Sequence, residues 1–209
     1  MRTRILAILL AAATLMLSAS AVAAGNWETA DVIGQGFAGP VVAPGGAAIQ
    51  RTPNGVAASL TMATPAPGTY TYFDGPTGNA DPGHPEAFSL WVFIFYNPEA
   101  CTVPFACGPG DLMNKLDVVA GAHNAGGHLV SSPDLHLSGY VNKSSFTFGG
   151  GNAETIGQAV SMGYDLASAE IHLAVAPHGS LDPTLLPEAI STPNGMPPHW
   201  WLAFFDPQS

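Results

Sequence analysis

Glycine and proline interrupt this chain at short intervals, with 24 of the first and 19 of the second. The stretches between the breaks either alternate apolar with polar residues or run apolar over a few positions. A long amphipathic helix cannot survive such punctuation, whereas short strands joined by tight turns require it. The segment from Phe88 to Tyr96 is apolar on both faces, which predicts a central strand covered on each side. Val56–Met62, Leu135–Val141 and Ala169–Val175 alternate, so each predicts a strand with one face turned to a core. Thr69–Phe73, Leu116–Ala122, the Phe146/Phe148 pair and the aromatic run His199–Phe205 complete a set of roughly eight strands. Gly110–Lys115 and Glu154–Met162 suggest short helical turns. The expected fold is therefore all-β: a single sandwich or barrel of mostly antiparallel, Greek-key-like strands.

The N-terminus reads differently from the rest. Arg2 and Arg4 precede an apolar run from Ile5 to Leu17, and small residues follow up to Ala24. That three-part layout predicts a secretory signal peptide over 1–24, cut after Ala24 and handled by the general secretory route. The run is shorter than the roughly 20 apolar residues of a membrane-spanning helix. Residues 25–55, rich in glycine and proline, read as an irregular N-terminal arm, and 56–209 as one β domain. The expected location is periplasmic or extracellular, with no membrane anchor once the signal is removed.

Removal of the signal would leave Arg51, Lys115 and Lys143 against fifteen acids, a net charge of −12. Three cations cannot neutralise a row of phosphates, so nucleic acid is excluded as a partner, and anionic lipid is disfavoured. Cys101 and Cys107 are the only cysteines. In an oxidising compartment they are expected to form a disulfide closing a small loop.

Several segments carry a resemblance. Pro82-Gly83-His84 precedes the strand beginning Phe88-Ser89-Leu90-Trp91, which ends in Asn97-Pro98-Glu99-Ala100-Cys101. Ala169-Glu170-Ile171-His172-Leu173 and His178-Gly179 follow downstream. Together they resemble a family of secreted bacterial β proteins with no established activity, over most of residues 82–205. The A-E-I-H segment is also weakly similar to chordin-type (CHRD) domains, although the paired histidines of that signature are absent. Neither resemblance implies a catalytic role for any residue.

The seven histidines are the main site candidates. On their strands His136 and His172 point away from the apolar face, toward solvent or a cleft. Were those strands neighbours, the two rings could converge, with His123, His128 or Glu170 as further ligands for zinc or copper. No HxH or HExxH spacing supports this, and a set of separate polar histidines is the simpler reading. Asp74–Asp81 offers oxygen atoms for calcium but lacks an alternating acidic pattern, and a turn explains it equally well. Ser161 stands in an incomplete nucleophile-elbow sequence, and Glu99, Asp111 and Glu170 form no visible carboxylate pair. Trp200, Trp201, Phe204 and Phe205 could stack on a sugar or fill a core. A non-enzymatic binding or structural role is the expectation, with a His-lined metal site as the alternative.

Overall fold

A computed structural model describes residues 26–72, 84–186, 188–192 and 195–208. The expected signal peptide and the Asp74–Asp81 loop lie outside the described residues. Ten strands form one sheet: β1 (Glu28–Ile33), β2 (Val41–Thr52), β3 (Gly55–Ala63), β4 (Glu86–Phe95), β5 (Val119–Val130), β6 (Asp134–Asn142), β7 (Thr147–Phe148), β8 (Asn152–Ala153), β9 (Glu170–Ser180) and β10 (Trp201–Phe205). Their order is β6-β3-β2-β1-β10-β9-β4-β5-β7, with β8 pairing β5. Every ladder is antiparallel except the short β5–β8 pair. Three short helices, α1 (Pro109–Asn114), α2 (Ile156–Ser161) and α3 (Glu188–Ser191), decorate the sheet.

The sheet is all-β and curls into a half-barrel, so the barrel-like alternative is the one adopted. Curling brings β6 back against β5 without a ladder between them among the described residues. Gly139 permits this approach, because a Cβ there would lie 1.7 Å from the Ala125 carbonyl oxygen. Alternation decides what the curl encloses. Leu60, Leu90, Val92, Ile94, Leu135, Leu137, Ile171, Leu173, Val175 and Ala203 point inward and form the main core. Helix α2 closes one side of it with Ile156 and Ala159. Its start is fixed reciprocally: Gln158 N–H donates to Thr155 Oγ1 (3.2 Å), and Thr155 N–H to Gln158 Oε1 (2.9 Å).

Two expectations are corrected here. The arm over 25–55 is not irregular, since it contains β1 and β2 and pairs with β3 and β10. The Pro44-Gly45-Gly46 break is absorbed where the β1–β2 register shifts: Gly45 takes φ +62°, and its N–H donates to Asp31 Oδ1 at 2.7 Å. Conversely, Thr69–Tyr72 is not a strand. Thr69 and Tyr70 bend away from a turn at 67–68, Thr71 and Tyr72 are irregular, and Tyr70 packs its ring on Phe88 and Trp201.

Arg51, the only arginine beyond residue 4, joins distant parts of the sheet. Its guanidinium binds both oxygens of Glu28 at 2.9 and 3.1 Å. It also donates to the carbonyls of Leu166 (2.8 Å), Ala169 (2.5 Å) and Asp206 (2.8 Å). This is a structural role, and it removes one of the few cations from the surface.

Candidate functional site

The outer face of the sheet is built from the other half of each alternating strand. Trp91, Phe93 and Phe95 of β4 stand beside Ala120 and Ala122 of β5, Ala174 and Ala176 of β9, and Leu202 and Phe204 of β10. Large aromatic rings next to alanines leave a hollow that neighbouring strands do not fill. The chain roofs part of it with Pro109, Leu112 and Met113 of the α1 region, Phe148 of β7, Phe37, and Met196–Trp200. A cavity of about 320 Å³ remains, open to solvent on one side. Phe37 stacks on Phe204 (centroids 5.9 Å, 24° between planes), and Phe93 lies 5.4 Å from Trp200.

His172 lies in this cavity's wall, in register with Phe93 on one side and Phe204 on the other. Apart from two indoles, it is the only lining side chain that carries a nitrogen or oxygen. Glu170, two residues earlier on the same strand face, accepts a hydrogen bond from His172 Nε2 at 2.6 Å. The same carboxylate oxygen accepts the Cys107 N–H at 2.9 Å. Both side chains are about 95 % buried, and Phe95 and Phe204 flank the imidazole at 5.1 and 4.6 Å. With Nε2 engaged by Glu170, Nδ1 is the ring's remaining nitrogen.

The wall is held in place by the cysteine loop. Cys101 and Cys107 form a disulfide, as expected. Asp111 at the start of α1 accepts from Thr102 N (2.8 Å), Thr102 Oγ1 (2.7 Å) and Gly108 N (2.8 Å). Burial pushes its pKa up, but those donors outweigh burial and hold the carboxyl below its ordinary range. Phe105 closes the loop with φ +58° and an exposed ring.

The remaining histidines do not join this site. His136 lies exposed on β6 and bonds Thr61 Oγ1 at 2.7 Å. Strands β6 and β9 are separated by β3, β2, β1 and β10, so His136 and His172 do not converge as neighbouring strands would allow. His128 is exposed on β5. His123 is fully buried on the inner face, with Nδ1 3.3 Å from the Phe146 carbonyl. Burial lowers its pKa to about 4, so it is a neutral core residue at pH 7. Its Nε2 and Thr147 Oγ1 crowd the space beside Gly121, where a Cβ would meet them at 3.0 and 2.5 Å. Among the described residues no three His, Cys, Asp or Glu side chains gather as a metal site would require.

One further buried pair was not foreseen from the sequence. Trp91 Nε1–H donates to Ser89 Oγ at 3.0 Å, and Ser89 Oγ lies 2.8 Å from His178 Nε2. His178 sits on the bulge between β4 and β9, and burial takes its pKa to about 4. Ser89 and His178 are fully buried and do not line the cavity, so this contact supports the Trp91 wall from behind. Ser161 ends α2 with its hydroxyl donating to Gln158 O, and no base adjoins it there. The aromatic run divides by alternation. Trp201 and Phe205 enter the core, while Trp200 lines the outer cavity and Phe204 packs on the outer-face cluster. No family model, curated protein or solved structure matches this chain. Roles for its residues therefore come from their geometry.

Proposed function

We propose that this protein is an exported, non-enzymatic binding domain that takes a small apolar, ring-bearing molecule into the outer-face cavity. The observation that supports this most directly is the lining itself: Trp91, Phe93, Phe95, Leu112, Phe148, Trp200 and Leu202 around about 320 Å³ of space. That volume falls at the small end of ligand sites, and aromatic walls with one polar group are their usual chemistry. A core would have closed this space, since interiors pack to crystal-like density. The disulfide supports an oxidising compartment, in keeping with the N-terminal pattern.

Naphthalene titrated into the mature protein in a calorimeter tests the reading. One site in the tens of micromolar is expected, on the order of −0.6 kcal/mol per non-hydrogen atom. The Ala122→Leu variant, which pushes a side chain into the floor, should fold and lose that binding. Binding that survives in Ala122→Leu, or no binding to the wild type, would count against the cavity as a ligand site.

A further inference from the structure

Resting on the pocket just assigned, we infer that its ligand is not an anion and carries a hydrogen-bond donor on an aromatic or alicyclic ring, as a phenol does, with that donor directed to His172 Nδ1. Three observations combine to select this class. First, Glu170 Oε1 accepts a hydrogen bond from His172 Nε2–H at 2.6 Å, and a neutral ring so oriented offers Nδ1 as an acceptor. The carboxylate is itself anchored by the Cys107 N–H, so the imidazole is held in one orientation before any ligand arrives.

Second, the charge balance excludes an anion. With a neutral imidazole the Glu170–His172 pair carries −1, and with a protonated one it carries zero. No lysine or arginine lines the cavity. A carboxylate ligand would therefore enter an apolar site with no surplus positive charge to meet it. Third, the walls are flat. Phe93 and Trp200 line the cavity as a tilted pair with centroids 5.4 Å apart, and Phe37 lines it while stacking on Phe204. A ring sliding between such faces gains area and favourable aromatic geometry together. An alkyl chain would gain the area alone.

A matched series separates the elements of this inference: naphthalene, 1-naphthol and 1-naphthoate, titrated calorimetrically into wild type, His172→Phe and Glu170→Gln. The expected result is that 1-naphthol binds wild type about three- to tenfold more tightly than naphthalene, the range of one net hydrogen bond. 1-Naphthoate should bind more weakly than naphthalene. In His172→Phe, which keeps an aromatic ring of similar size, naphthalene should still bind and the naphthol advantage should vanish. Glu170→Gln should reduce that advantage by releasing the ring's orientation. If naphthalene and naphthol bind wild type equally, or the naphthol preference survives in His172→Phe, the donor-to-His172 assignment is wrong while the pocket stands. Tighter binding of naphthoate would overturn the charge argument. If none of the three binds, the pocket reading itself falls.

Discussion

The two faces of strands β4, β5 and β9 meet different neighbours and were filled by different rules. Inward, Leu90, Val92, Ile94, Ile171, Leu173 and Val175 are branched side chains that pack with residues of β2, β3 and β6 into one buried cluster. Outward, the same strands alternate aromatic rings with alanines, and the cover over them comes from irregular chain and a six-residue helix. A branched residue fits its neighbours at many angles, whereas rings beside methyl groups leave slots. The inner face carries the stability of the fold, and the outer face carries a vacancy maintained by the same backbone.

The largest effect should come from truncating the inner face. Leu173→Ala is expected to cost about 2–5 kcal/mol in urea unfolding, while Phe93→Ala across the sheet should cost only about 1–2 kcal/mol, being only partly buried beside a cavity. Equal losses would erase the distinction between the faces. Next is the loop that covers the outer face. Replacing both Cys101 and Cys107 by serine should lower stability by about 2–3 kcal/mol and weaken naphthalene binding, because Gly108–Met113 would lose its anchor. Unchanged binding in that variant would show that the α1 wall stands without the bridge.

Acid should probe one buried imidazole on each face. His123 inside and His178 outside both have pKa values lowered to about 4, from an ordinary 6.5, because burial penalises the charged ring. Between those values the unfolded chain binds protons that the folded chain refuses. The stabilisation is complete above pH 6.5, declines as pH falls, and is lost by pH 4. Each histidine should contribute a slope of about 1.4 kcal/mol per pH unit in that window. His178→Gln should remove one of the two slopes, as seen in urea midpoints from pH 7 to 4.5. A wild type and variant with parallel profiles would mean that His178 binds protons equally in the folded and unfolded chains, against its being held neutral by burial. The smallest effect is expected at the exposed His136: His136→Ala should change stability by less than about 0.5 kcal/mol. It should also leave metal content, measured on untagged protein, unaltered.

How much of this could be read beforehand follows from the range of each signal. The double-sided apolar run at 88–96 and the alternation at 135–141 and 169–175 are local, and they became β4, β6 and β9. Period-two geometry also turned His172 away from Ile171 and Leu173, toward solvent or a cleft, and it lines the outer cavity. The same rule puts Glu170 and His172 on one face, and the pairing between them could have been drawn from it. β2 was hidden because Pro44-Gly45-Gly46 reads as a turn, and only the partner strand with Asp31 turns it into a bulge. The cavity had no local signal. Phe37, Trp91, Leu112, Phe148 and Met196 meet only after strand order is set, and nothing in their spacing announces it. The Ser89–His178 contact depends likewise on a one-residue register shift between β4 and β9.

Arg51 has a consequence for chain connectivity. Its guanidinium holds Glu28 near one end of the described chain and Asp206 near the other, and β1 lies beside β10. The Glu28 and Asp206 ends of the described chain are thus neighbours in space, although most of the sequence separates them. A short linker joining them, with new ends opened in the 131–133 turn between β5 and β6, would yield a circular permutant with every ladder of the sheet intact.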